Sequence, residues 1–154
     1  MRMMRPAALA IAGAATVLAA SGAAAQTDPE AARRLIAEGN ADLKAHDYDA
    51  AISAFTRAVA ADPHSISSFN LCVTYYNIGR ADAALPACDQ AIAANPAKAD
   101  AYFVKGSLLV ADAKVVNGKL VAPPGAVEAL NKYLELAPDG PHAKDTRDML
   151  DYLK

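Results

Sequence analysis

From about residue 29 the chain alternates apolar-periodic blocks with short polar stretches rich in glycine, proline, asparagine and aspartate. Six blocks fall into pairs. "AARRLIAEGNADLKA", "SSFNLCVTYYNI" and "ADAYFVKGSLLVADA" each precede a second block, "HDYDAAISAFTRAVAADP", "GRADAALPACDQAIAANP" or "GAVEALNKYLELAP". Each block predicts a helix. Asp28-Pro29 gives the first helix a cap and a proline in its opening turn. Asp47 and Asp49 complement the dipole at the start of the second. His64 and Ser65 are expected to begin the helix after Pro63. Pro63, Pro96 and Pro138 stop the second member of each pair, because proline cannot continue the hydrogen-bond ladder. A last segment, "DGPHAKDTRDMLDYLK", can start a helix at Pro141. Ala143, Thr146, Leu150 and Leu153 lie on one face of it, and Lys144, Asp145, Arg147, Asp148 and Asp151 on the other.

One stretch breaks the helical pattern. "VVNGKLVAPPG", residues 115–125, alternates as a strand would and carries Asn117-Gly118, the pair suited to a type I′ turn. Val116 would pair with Lys119 and Val115 with Leu120, and Pro123-Pro124 would end the second strand and start the next helix. A lone hairpin is marginal in water, so either its apolar face packs on its own repeat or it serves as a docking tip, with Val115 and Leu120 as the second interface.

The second blocks repeat. Ala51 aligns with Ala84, Phe55 with Cys88, Ala58 with Ala91 and Pro63 with Pro96, at a spacing of 33; Ala126, Leu130, Tyr133 and Pro138 follow at 42. Gly39 and Gly106 sit at matching places in two first blocks, with Cys72 at that place in the middle one. Together with Tyr48, these small and large residues in a period of about 34 resemble the tetratricopeptide repeat family, over roughly residues 30–138. The resemblance implies an all-α fold: three helix-turn-helix repeats in a right-handed solenoid, plus a C-terminal capping helix and a small β-hairpin inserted in the third repeat. The expected divisions are a signal peptide at 1–25, a lead-in at 26–31, repeats at 32–64, 65–98 and 99–138, the insertion at 114–122 and the capping helix at 139–154.

Arg2 and Arg5, an apolar run from Pro6 to Ala20, and Ala23 and Ala25 compose an export signal with cleavage after Ala25. The run is too short for a membrane span, so no membrane insertion is expected after cleavage. The chain from Gln26 carries 13 basic and 17 acidic residues, a net charge of −4, which disfavours nucleic-acid backbones. The expected location is periplasmic or secreted, with a protein or peptide partner in the cell envelope. Cys72 and Cys88 lie equally far from Arg80, which sits in the turn of the middle repeat. In an antiparallel helix pair they stand at one height, and an oxidising compartment favours a disulfide between them; two buried thiols acting as small apolar groups are the alternative.

In this family the first helices line a concave groove that takes ligands. The resemblance assigns to it Ile36, Asn40, Leu43 and Lys44; Phe69, Val73, Tyr76 and Asn77; and Phe103, Ser107 and Val110. Leu43, Val73 and Val110 could instead face the core. One subclass grips C-terminal carboxylates with two asparagines and three basic side chains. Asn40 and Asn70 match the asparagines, but Ile36, Asp100 and Val104 occupy the basic sites, so an acidic chain end is not the expected ligand. His46, His64 and His142 lack metal-ligand spacing, and no phosphate loop, catalytic carboxylate pair or nucleophile elbow occurs. The expectation is a non-enzymatic scaffold without metal or cofactor that binds a peptide or protein segment in its groove. The alternative is a structural subunit of an envelope complex that uses the hairpin or capping helix as its interface. Self-association is also possible at the N-terminal end, where no separate cap precedes the first repeat.

Overall fold

The computed structural model describes residues 27–64 and 66–153. The export signal lies outside them, and so does Ser65. In chain order the elements are α1 (Pro29–Lys44), α2 (Tyr48–Ala61), α3 (Ser67–Asn77), α4 (Ala81–Ala94), α5 (Ala99–Ala111), β1 (Lys114–Val116), β2 (Lys119–Val121), α6 (Ala126–Leu136) and α7 (Ala143–Tyr152).

Each pair forms for local reasons that recur at the repeat spacing. Asp28 and Asp47 cap α1 and α2, their Oδ1 atoms accepting from the N–H groups of Ala31 at 2.8 Å and Ala50 at 3.0 Å. The turns inside the first two pairs pass through left-handed residues at equivalent places, His46 (φ 60°) and Gly79 (φ 73°). The second helices end alike: Asp62 and Asn95 turn extended ahead of Pro63 and Pro96, as a residue before proline must. Their side chains then accept from the N–H groups of His64 and Ala97.

Two expected helix starts move. α3 begins at Ser67, and the residue at its cap is Ile66, which supplies no side-chain acceptor. α6 begins at Ala126 rather than at the prolines. Gly125 takes φ 90°, so Pro123 and Pro124 stay outside the helix and Pro123 contributes only a carbonyl to the N–H of Ala126. α7 likewise starts two residues after Pro141, at Ala143.

Within each pair the helices pack closely. α1 packs on α2, α3 on α4 and α5 on α6, and each second helix then meets the next first helix. α3 also touches α5, and α5 touches α7. The first helices therefore lie side by side on the inner, concave edge of the stack. The central core joins Ala51, Phe55, Leu71, Cys72, Ala84, Ala87, Cys88, Val104 and Leu108 across all three repeats. Phe55, Leu130 and Tyr133 are the largest side chains wholly removed from water.

The seam between paired helices is built in two ways. A Cβ on Gly39 would lie 2.6 Å from the Phe55 ring, and a Cβ on Gly106 would lie 2.6 Å from Leu130. Those glycines let a large side chain fill the seam. In the middle repeat both equivalent positions are cysteine, and they are joined: Cys72 and Cys88 form a disulfide with a Cα–Cα distance of 4.8 Å, both fully buried.

The hairpin has the register expected from its sequence, with Val115 opposite Leu120 and Val116 opposite Lys119. Asn117 (φ 53°) and Gly118 (φ 77°) both take the left-handed conformation that a type I′ turn requires.

Candidate functional site

The first helices bring the predicted groove residues to one edge of the stack, but not on equal terms. In α1, Ile36 and Leu43 are half-buried, while Asn40 and Lys44 are exposed. In α3, Phe69 and Val73 are half-buried, and Tyr76 (39% exposed) and Asn77 face water. Leu43, Val73 and Phe103 also pack against the core, so they serve groove and core together. Val110 is half-buried at the end of α5. The result is an apolar floor in the first two repeats with an exposed amide or ammonium beside it, the chemistry an extended peptide needs for side-chain contact and backbone hydrogen bonding.

The third-repeat part of the groove is covered. His142, at the start of α7, stacks on Phe103 with centroids 3.9 Å apart and planes 6° from parallel. The backbone N–H of His142 donates to the Tyr133 hydroxyl at 2.9 Å. Ser107 donates to the Phe103 carbonyl at 2.8 Å and lies 3.8 Å from the Met149 sulfur. Phe103 and Ser107 therefore hold the capping helix in place.

The carboxylate-grip positions are also now resolved. Asn40 is exposed, but Val104 is buried in the core, and Asp100 is engaged by Lys98 at 3.0 Å. The same Lys98 ammonium lies 4.4 Å from the centre of the Phe69 ring, a cation–π contact at the groove edge. Sequence reasoning missed Lys98 because it sits in the α4–α5 connection, ahead of the helix that the pattern marks. Its spacing of two from Asp100 was the available signal.

Sequence reasoning also missed the outer end. Leu150 and Leu153, expected to be covered, line a cleft of about 460 Å³ between α6 and α7, with Val127, Asn131, Arg147 and Asp151. Nearby, Lys144 donates to Asp148 at 2.6 Å and Lys132 to Glu135 at 2.7 Å. Each hydrogen bond holds its ammonium above the usual lysine range. Among the described residues, no group of His, Cys, Asp and Glu is arranged to hold a metal ion, and no helix is long and apolar enough to cross a membrane.

The second interface expected at the hairpin is split. Val115 is 72% exposed, but Leu120 is half-buried. The hairpin makes no extensive contact with any helix.

A stack of antiparallel helix pairs, with its first helices lining a concave edge, is a helical-repeat solenoid. The sequence pattern of the tetratricopeptide repeat matches residues 36–99 and 73–141, and the chain belongs to that family. It is 33% identical over 108 residues to the small glutamine-rich tetratricopeptide repeat-containing protein 2 of Mycosarcoma maydis, a match covering 70% of this chain. The matched region spans only 28% of that relative's length. Among solved structures it resembles the first TPR of Spaghetti (RPAP3) bound to an HSP90 peptide. There the TM-score is 0.71 and the identity 26%, covering 83% of this chain and 97% of that one. The Sgt2 TPR domain of Aspergillus fumigatus shares the fold at a TM-score of 0.63 and 23% identity, covering 83% of each chain.

Proposed function

We propose that this protein is a non-enzymatic adaptor of the bacterial periplasm that holds an extended, mainly apolar peptide segment along α1 and α3. The observation that carries the reading is the half-buried strip of Ile36, Leu43, Phe69 and Val73, flanked by exposed Asn40, Tyr76 and Asn77. Burying the strip would supply the affinity, and the amides would satisfy the partner's backbone. The Spaghetti repeat domain binds a peptide, and that use of the fold supports a peptide ligand here. The ligand differs in kind, since Ile36, Asp100 and Val104 leave the groove without the cations that would seize a terminal carboxylate.

The periplasmic setting rests on the export signal and on the Cys72–Cys88 bond, because such bonds persist in oxidising compartments. Mass measurement of the protein from its host should find an N-terminus at Gln26; retention of residues 1–25 would refute export by cleavage.

Peptide arrays probed with the oxidised protein test the groove. Apolar peptides should bind, amidation of their C-termini should leave binding unchanged, and Tyr76→Ala with Asn40→Ala should weaken it about tenfold. Phe103 is a poor choice for this test, because its loss would unseat α7. Binding indifferent to both substitutions would sink the groove reading.

A further inference from the structure

We propose that two copies of the chain pair about a two-fold axis, with Tyr152 of each copy entering a notch beside the hairpin of the other. The proposal is independent of the groove. It starts from two unpartnered surfaces at one end of the same molecule.

The first surface is the hairpin. Its register places Lys114, Val116, Lys119 and Val121 on one face. Val116 and Val121 are half exposed and, with Pro123 and Pro124, line a notch of about 270 Å³. That is roomy for an aromatic ring, since a cavity of about 150 Å³ accepts benzene. The stretch 113–125 carries two lysines and no acid. A three-residue hairpin that leaves these valines in water is marginal alone and gains most from being covered.

The second surface is the end of α7. Tyr152 is the most exposed large side chain described, at 75%, and it shares a hollow with Asp148 and Asp151. From Ala126 to Leu153 there are six acidic residues against three basic ones. The two surfaces are thus complementary twice over: an aromatic knob faces an apolar notch, and an acidic rim faces a basic one.

Both surfaces also lie at the same end of the solenoid. Val127, just after the hairpin, lines the α6–α7 cleft together with Leu150 and Leu153 from the end of α7. A two-fold pairing therefore buries both surfaces on both copies and closes, where a head-to-tail contact would leave one of each open. The net acidity of the rest of the chain argues against an anionic lipid surface as the occupant, since the body would be repelled where the hairpin is drawn in.

The test is sedimentation of the oxidised full chain across a concentration series, with parallel flotation on phosphatidylcholine vesicles with and without phosphatidylglycerol. The wild type should show a monomer–dimer equilibrium that weakens with salt. Tyr152→Ala, at an exposed site that leaves the helical signal intact, should raise the dimer Kd about tenfold or more. Lys114→Glu with Lys119→Glu should weaken the dimer by a similar factor, as should Asp148→Lys with Asp151→Lys. The four changes combined should restore it. A monomer at every soluble concentration would overturn the proposal, as would a dimer indifferent to Tyr152→Ala or a combined variant no tighter than either half. So would a monomer that floats only with phosphatidylglycerol, which would give the hairpin to a lipid surface.

Discussion

The outer repeats and the middle repeat solve the same packing problem with different chemistry. In the first and third, a glycine lies under a large side chain, Gly39 under Phe55 and Gly106 under Leu130. In the middle one, Cys72 and Cys88 take those two places and bond. The local signals differ in the same direction. α2 has a side-chain cap from Asp47, whereas α3 and α4 have none, and α4 carries Pro86 in its interior, where the ring removes a ladder hydrogen bond. The covalent bond thus sits in the repeat whose helices are weakest on their own. Three repeats are also near the minimum for a stable stack, so a weak centre would otherwise uncouple the two ends.

The outer seams are the place to break this contrast hardest. Phe55→Ala should cost about 3–5 kcal/mol in chemical denaturation, because Gly39 offers no side chain to collapse into the space. Adding Gly39→Ala to that variant should recover part of the loss, whereas Gly39→Ala alone should destabilise by forcing a Cβ to within 2.6 Å of the ring. A Phe55→Ala cost below about 1 kcal/mol would mean that the ring does not hold the first pair together.

The middle seam comes next. Closing a loop of this separation, 16 residues, stabilises by about 3 kcal/mol in the chain-entropy account. Reduction should therefore lower the Tm by roughly 10 °C. Cys72→Gly with Cys88→Phe would rebuild the first repeat's seam in the second. That variant should melt above Cys72→Ala with Cys88→Ala and be blind to reductant. Equal melting of the two would show that the seams are not interchangeable and that the bond does more than fill space.

How far the sequence reveals these features depends on their range. Helix pairs, the proline stops and the glycine–large-residue seams repeat at fixed spacing, so they are visible without coordinates. The hairpin register was as legible, because Asn117-Gly118 dictates its own turn. The disulfide needed only the mirror symmetry of a helix pair. What stayed hidden depends on packing between distant segments. His142 covering Phe103, Lys98 over Phe69, and the open cleft beside Leu150 all follow from where α7 and the α4–α5 connection settle. The start of α6 was misplaced for a local reason, since Gly125 takes a conformation that the preceding prolines do not announce.

The smallest difference between the repeats is also the most easily exchanged. Asp47 (φ −88°, ψ 81°) and Arg80 (φ −92°, ψ 73°) occupy the same cap position with nearly the same backbone. Each also anchors its turn by donating its N–H back to the first helix, Asp47 to Asp42 and Arg80 to Tyr75, at 2.9 Å in both. Only the side chain differs: the Asp47 carboxylate accepts from Ala50, and the arginine cannot accept at all. Asp47→Ala should therefore cost about 1 kcal/mol. Arg80→Asp should return somewhat less than that, because it gives up the guanidinium placed 5.4 Å from the Tyr75 ring, a contact of about 0.5–1 kcal/mol at an exposed site. If urea denaturation found Arg80→Asp destabilising, the cation–π contact would outweigh the missing cap, and α4 would be anchored through its arginine after all.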